Sequence, residues 1–240
     1  MKYIITGVNS GLGKYLHQNI PNSLGINREN HNLIYSRLDC DDIVVHCAFN
    51  KTNDIQNHYQ YLEDNIFFTK KLLDRGNKII YISSIDVYLQ NNPYTLFKKF
   101  SESIINKSSY NLVLRLPALV GPLMKSNHIT KMIDNNNSLI TLSKDSTFNY
   151  ITYDDVLNFI LDPKGKSLSG TYDFTTSTTI SLDTVQKAFN LSVQFGNYTY
   201  NTPKVFPNPI SKVWNNLNKT SIESLKETFK IKEYEQFLQK

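Results

Sequence analysis

The sequence predicts an α/β fold: a doubly wound parallel sheet with helices on both faces, followed by a small C-terminal lobe. Three observations predict it. Short β-branched runs alternate with longer amphipathic stretches through the first half of the chain. Three glycines within seven residues join the first of those strands to the first helix. After Gly121-Pro122 the chain turns polar and Asn-rich, and the alternation ends. A length of 240 residues suits one large domain, or a core with an appended lobe.

The elements follow in order. Lys2 to Thr6 is a strand, and Gly11 to Asn19 is helical. Leu24 to Asn27 is a short second strand. Asp42 to Ala48 reads Asp-Ile-Val-Val-His-Cys-Ala, a buried β-branched strand. Tyr59 to Arg75 is one long helix stopped by Gly76. Lys78 to Ser83 is a strand. Asn92-Pro93 starts the next helix, Tyr94 to Asn106, with an Asn cap and Pro in the first turn. Leu112 to Leu116 is a strand closed by Pro117. Between Arg28 and Asp41 about thirteen residues cannot hold the helix, strand and helix of a standard unit, so that region is reduced. Residues 123 to 147 surround a short helical piece, with Asn135 to Asn137 a loop. Asn149 to Thr152 enters a helix capped by Asp at 154–155. Tyr172 to Thr175 is a late strand, Ser181 to Phe189 a helix, and Ser221 to Leu238 an amphipathic helical tail. The expected division is a core of residues 1–122 with 148–175 returning to it, and a lobe of 123–147 and 176–240.

Composition excludes several classes. The chain is 40% hydrophobic and 20% charged, which supports a packed core and not disorder. Its net charge is +5, carried mostly by lysine, since Arg28, Arg37, Arg75 and Arg115 are the four arginines. That favours an anionic ligand but gives no dense basic stripe for nucleic acid. The two cysteines, Cys40 and Cys47, make neither a disulfide framework nor a Cys-based zinc site. The five histidines show no metal-ligand spacing, and His46 on its buried strand reads as a satisfied core residue. No metal is expected. Met1 leads directly into a strand, with no signal peptide, and no apolar run approaches the ~20 residues of a membrane span. A soluble cytoplasmic protein is expected.

Two motifs carry chemistry. Thr6-Gly7-Val8-Asn9-Ser10-Gly11-Leu12-Gly13 lies between a strand and a helix. Gly7 allows the tight turn, Gly11 lets backbone approach a pyrophosphate, and Gly13 packs helix on sheet, as in a Rossmann-like dinucleotide site. The second strand ends at Arg28, which can pair with a 2′-phosphate and favours NADP(H) over NAD(H); Glu29 beside it keeps NAD open. Tyr94-Thr-Leu-Phe-Lys98 matches Tyr-x-x-x-Lys, and i and i+4 share a helix face. The Lys98 ammonium is expected to lower the Tyr94 pKa, so that the phenol exchanges a proton with a substrate oxygen. A second match, Tyr200 to Lys204, contains Pro203 and cannot be helical.

These residues, with Val44 to Ala48, Asn65 and Thr69, Ser83 to Tyr88, Arg115-Leu116-Pro117 and Phe148 to Asp155, resemble in their order the short-chain dehydrogenase/reductase superfamily. Ser-Ser-x-x-Val-Tyr and Asn-Pro-Tyr with Lys98 and Glu102 resemble its extended branch of nucleotide-sugar epimerases, dehydratases and reductases. The resemblance covers about residues 1 to 175. It implies Ser84, Tyr94 and Lys98 as catalytic residues, with Lys98 also on the nicotinamide ribose. It implies Gly7, Ser10, Gly11, Leu12 and Gly13 on the pyrophosphate, Ala48 and Lys51 beside the cofactor, and Pro117 and Leu119 bordering the nicotinamide. Leu38 and Asp39 are the adenosine candidates in the reduced region. Ser84, Asp86 and Tyr94 would meet the substrate.

Departures from the branch narrow the reading. The glycine spacing is that of the shorter branch. Ser84 and Tyr94 are only ten residues apart. The branch's substrate-diphosphate Arg is missing, leaving Lys125, Lys131, Lys144 or Lys204. Dehydratases of the branch carry an Asp-Glu pair where this chain has Ile85 and Asp86, so water elimination is disfavoured and hydride transfer remains. The implied activity is NADP(H)-dependent reduction of a keto sugar, with a nucleotide-linked sugar as substrate. A 4-epimerase and a non-catalytic NADP(H)-binding sensor or scaffold are the alternatives. The resemblance also implies a homodimer. Ile66, Phe67 and Leu73, with Phe97, Phe100 and Ile104, either form its interface or face the sheet.

Overall fold

The structure is a computed structural model that describes residues 1–51, 58–89, 92–134 and 139–238, and within them every side chain but those of 58, 134 and 230–238. The loop expected over Asn135 to Asn137 lies outside the described residues.

The main sheet begins with β1 (Tyr3–Thr6), β2 (Leu24–Ile26), β3 (Ile43–His46), β4 (Lys78–Ser84) and β5 (Leu112–Leu116). Further strands are β6 (Ala118–Val120), β7 (Leu139–Leu142), β8 (Thr147–Phe148), β9 (Tyr150–Thr152), β10 (Gly170–Asp173), β11 (Ile180–Ser181) and β12 (Gln194–Tyr198). The main sheet has six strands in the order β10-β5-β4-β3-β1-β2, all parallel. Strand order reverses beside β1, which opens a crevice at the carboxyl ends of β1 and β3.

Helices are α1 (Gly11–Asn19), α2 (Leu33–Arg37), α3 (His58–Leu62), α4 (Phe68–Leu73), α5 (Pro93–Ile105), α6 (His128–Asp134), α7 (Tyr153–Leu161), α8 (Pro163–Ser167), α9 (Leu182–Ala188) and α10 (Ser221–Leu238). Alternation along the strands feeds two cores. Ile5, Val45, Ile80 and Leu114 pack with α1 and α7 residues such as Leu16 and Phe159. Their neighbours Ile4, Val44, Ile79 and Val113 pack with Leu72 and Ile105 on the opposite face. This is a Rossmann-like sheet covered on both sides, and its central strands are mostly apolar for that reason.

A third core forms the smaller C-terminal lobe, around Ile129, Met132, Phe148, Tyr150, Leu182, Val185 and Leu225. Short strand pairs hold it: β7 with β12, β8 with β11, and β6 with β9. Ile210, Trp214 and Leu217 of the tail pack instead in the first core.

Several elements differ from the sequence expectation. The helix expected over 59–75 is interrupted by a π-helical turn, Glu63–Phe67, in which the Phe68 N–H reaches the Glu63 carbonyl. The wider turn frees the Asn65 carbonyl, which accepts the hydroxyls of Thr69 at 2.6 Å and Ser101 at 3.2 Å. Thr152, not an Asp, caps α7: its hydroxyl accepts from the Asp155 N–H while Asp155 accepts from the Thr152 N–H. The late strand runs over Gly170–Asp173, two residues earlier than expected, because its ladder pairs Gly170 with Leu112 and Asp173 with Arg115. Between Arg28 and Asp41 the one-turn helix α2 is all that fits, so β2 remains the sheet edge.

Candidate active site

A cavity of about 1170 Å³ opens over the carboxyl ends of the strands. Its floor at one end is the glycine loop. Gly7 has φ +76°, and a Cβ there would stand 2.8 Å from the Ala48 backbone nitrogen. A Cβ on Gly13 would stand 2.5 Å from the Gly7 carbonyl oxygen. The loop, α1 and the end of β3 thus meet backbone to backbone. Ser10 precedes α1 with extended backbone and makes no side-chain cap bond, so the first N–H groups of α1 carry no side-chain acceptor from it. Gly7, Ser10, Gly11, Leu12, Gly13 and Ala48 all line the cavity. This cradle fits a pyrophosphate.

His46 pins the cradle from below. The Thr69 hydroxyl donates to Asn65, so it accepts from the His46 Nε2–H at 3.0 Å. His46 Nδ1 then accepts from the Thr6 hydroxyl at 2.8 Å, and the Thr6 oxygen accepts the Ala48 N–H at 3.1 Å. Burial, helped by the Lys98 charge, pushes the His46 pKa down to about 3, so the ring is neutral. Asn65 holds the following segment, accepting the Asn50 N–H at 2.7 Å and donating to the Asn50 carbonyl at 3.1 Å.

At the other end of the cavity Ser84, Tyr94 and Lys98 come together. β4 alternates, so the Ser83 hydroxyl is taken up by Glu102 at 2.6 Å, and Ser84 lines the cavity. Asn92 caps α5 by accepting the Thr95 N–H at 3.0 Å, with Pro93 in the first turn. That start sets Tyr94 and Lys98 on the cavity side. The Ser84 side chain neighbours the Tyr94 phenol, and its hydroxyl accepts the Asp86 N–H at 3.2 Å. Phe49 stands edge-on to Tyr94, ring centroids 5.3 Å apart, and its face lies 4.3 Å from Lys98 Nζ.

The electrostatics correct one expectation. Lys98 does not depress the Tyr94 pKa: its ammonium donates to the Ile82 carbonyl at 2.6 Å. Burial instead pushes the Tyr94 phenol well above the usual tyrosine range, which the nearby Ser84 hydroxyl opposes and Asp86 reinforces. Burial pushes Lys98 down to about 7, helped by the Lys51 charge. The phenol is held protonated.

Asp86 and Lys51 face the same space. Lys51 Nζ lies 4.9 Å from the centre of the Tyr94 ring. Asp86 accepts the Tyr200 hydroxyl at 2.5 Å, a contact from the C-terminal lobe into the core. Tyr200 stacks on Phe148 with centroids 4.7 Å apart, and both line the cavity. Pro117 and Leu119 border it, and of the four lysines considered for a diphosphate only Lys125 lines it.

Arg28 also lines the cavity, but its guanidinium donates to Asp64 at 2.6 Å. Leu38 is not in the lining. It packs on the core of Ile4, Ile26 and Ile34, because the short α2 turns it toward the sheet. Asp39 likewise pairs with Lys2 at 3.4 Å, away from the cavity. Among the described residues no group of three or more His, Cys, Asp or Glu could hold a metal, and no helix is long and apolar enough to cross a membrane.

No protein-family model and no curated protein matches the chain. Solved structures do. A dTDP-4-dehydrorhamnose reductase from Bacillus anthracis in complex with NADP aligns with TM-score 0.77 at 18% identity, covering 95% of this chain and 99% of that one. The dTDP-4-dehydrorhamnose reductase of Clostridium acetobutylicum gives 0.77 at 17% identity, over 97% of this chain and 100% of that one. A short-chain dehydrogenase/reductase superfamily protein from Agrobacterium tumefaciens with bound NAD gives 0.72 at 13% identity, covering 98% of each. The chain shares the Rossmann-like fold of these NAD- and NADP-bound structures. At these identities the likeness speaks for the fold, and the site rests on its own geometry.

Within this fold, four site residues escaped the sequence reading. Phe49 directly follows Ala48, and its position after β3 was the available signal. Tyr200 lies in the Tyr-x-x-x-Lys match set aside for Pro203; it is not helical, yet its phenol enters the site. Phe148 opens the 148–155 stretch that carries the resemblance, without a site role there, and Asp64 gave no signal, since its bond to Arg28 spans 36 residues.

Proposed function

We propose that this protein is an NADP(H)-dependent oxidoreductase that reduces a keto sugar, carried as a nucleotide sugar. The observation that carries the reading is the meeting of Ser84, a protonated Tyr94 and Lys98 at one end of a cavity whose other end is a glycine cradle. A nicotinamide, when bound, supplies the hydride. The residues of this chain supply the rest. The cradle and the N-terminus of α1 hold the pyrophosphate. Lys98 reaches the nicotinamide ribose while Ile82 and Phe49 fix its ammonium. Ser84 hydrogen-bonds the substrate carbonyl oxygen, and Tyr94 gives that oxygen its phenol proton as the carbon is reduced.

A phenol held protonated suits reduction. Epimerisation needs the same group first as a proton acceptor and then as a donor, whereas reduction needs it only as a donor. A binding-only role has no use for Ser84, Tyr94 and Lys98 together in one cavity. Lys125 is one lining cation available to a substrate diphosphate, and the Phe148–Tyr200 stack offers a flat apolar wall to a ring. Arg28 at the end of β2 supports NADP(H) over NAD(H). Phe67, Leu96 and Phe100 are exposed and support a homodimer through the π-helical turn and α5, whereas Ile66 and Ile104 are buried within the chain.

The test is NADPH oxidation with 4-keto nucleotide sugars, wild type against Tyr94→Phe, with NADPH affinity measured in parallel. Turnover falling by about 10²–10⁴ in the variant at unchanged NADPH affinity is expected. Unaltered turnover refutes Tyr94 as proton donor. NADPH binding with no turnover on any keto sugar favours the sensor reading.

A further inference from the structure

The segment after β2 is unusually well fixed. The Asn27 side chain accepts the N–H groups of Glu29 at 2.9 Å and Asn30 at 3.1 Å. The Asn30 side chain accepts the Asn27 N–H at 2.7 Å and donates to the Gly25 carbonyl at 3.0 Å. His31 Nδ1 lies 2.8 Å from the Arg28 carbonyl. These bonds set the Arg28 backbone at the cavity wall. Its side chain, 73% exposed, extends to Asp64, whose side chain is only 16% exposed. Asp64 is anchored from the protein side as well. It accepts Asn50 Nδ2 and Gln60 Nε2, each at 2.8 Å.

We propose that Asp64 is a specificity-determining residue for the cofactor: it holds the Arg28 guanidinium, so a cofactor 2′-phosphate must draw Arg28 away from it. The inference rests on the dinucleotide reading above. The end of β2 is where the adenosine ribose of such a cofactor lies. A phosphate there offers Arg28 a bidentate partner, and the competing carboxylate is fixed in place before the cofactor arrives. Asp64 also sets a negative charge beside that phosphate. Both effects weaken NADPH and leave NADH, which lacks the 2′-phosphate, nearly untouched. The chain thus carries an NADP-type Arg with a restraint on it, and the restraint keeps the two cofactors closer in affinity.

The experiment is titration of the full chain with NADPH and with NADH at fixed ionic strength. The proteins are wild type, Asp64→Asn, Arg28→Ala and the double variant. Asp64→Asn is expected to tighten NADPH by about two- to fivefold, the range of an exposed ion pair, with NADH changed less than about twofold. In the Arg28→Ala background most of that gain is expected to vanish; what remains measures direct repulsion by Asp64. If the Asn variant does not fold, Asp64→Ser carries the same expectations. Unchanged NADPH affinity, an equal change in NADH, or a gain that survives whole without Arg28 overturns the proposal. Wild type that binds neither cofactor overturns the dinucleotide reading instead.

Discussion

Replacing Glu102 by Ala tests the frame that holds the site. Glu102 lies one turn beyond Lys98 on α5, and its side chain is 4% exposed. Its two oxygens take three bonds: Ser83 at 2.6 Å, Arg115 Nε at 3.0 Å and Arg115 Nη2 at 2.7 Å. Arg115 Nη1 donates to Tyr88 at 2.7 Å, and Tyr88 donates to Asp173 at 2.8 Å. The network ties α5 to the ends of β4, β5 and β10. Removing Glu102 leaves a largely buried guanidinium with Tyr88 and a carboxylate 3.9 Å away. Breaking one side of a buried pair costs about 3–5 kcal/mol, and the compensation from Asp173 sets the expectation near the lower end, about 3 kcal/mol. For a chain of this size that is a fall in Tm of about 6–12 °C. The assay is urea unfolding followed through Trp214, the one tryptophan, buried against Phe159 and Phe174. Arg115→Met alone costs a similar amount, because it strands Glu102. The double variant is expected to cost less than the two singles together by about 2 kcal/mol. Additivity to within about 0.5 kcal/mol refutes the coupling.

Other perturbations follow from the same geometry. Gly13→Ala drives a Cβ to 2.5 Å from the Gly7 carbonyl oxygen, so the loop must shift; stability falls by about 1–3 kcal/mol and NADPH binding by about tenfold, read by unfolding and titration. Lys98 titrates near 7 and keeps its ammonium below that pH, so NADH affinity is expected to fall as pH rises from 6.5 to 8.5 in wild type and to stay flat in Lys98→Met. NADH is the probe because it has no 2′-phosphate titrating in that range. His46 binds its proton only near pH 3 when folded but near 6.5 when unfolded, so stability is full above 6.5 and falls with pH below it; the slope is expected to shrink in His46→Gln.

The glycine loop, the strands up to β5 and the Ser84, Tyr94 and Lys98 set were legible because each depends on local spacing. Asn92-Pro93 fixes the phase of α5, and that phase brings Tyr94 and Lys98 to Ser84. Contacts set by tertiary packing were not legible. Tyr200 and Asp86 are 114 residues apart, and Arg28 and Asp64 are 36 apart. The π-helical turn at Glu63–Phe67 follows from buried partners of Asn65 on β3's loop and α5, which no periodicity reveals. Leu38 was expected at the adenosine because the reduced segment gave no register; it serves the core. The expected effect of Lys98 on Tyr94 assumed that four-residue spacing means contact, whereas the ammonium is held by Ile82.

The most direct test of the central claim is fluorescence titration of the purified chain with NADPH and NADH, in wild type and Arg28→Ala. Saturable binding of both, with NADPH weakened in the variant and NADH not, is the result predicted by a glycine cradle and an Arg at the end of β2. Failure of the wild type to bind either dinucleotide would contradict the account at its root, since every role assigned to Tyr94 and Lys98 depends on that cavity holding one.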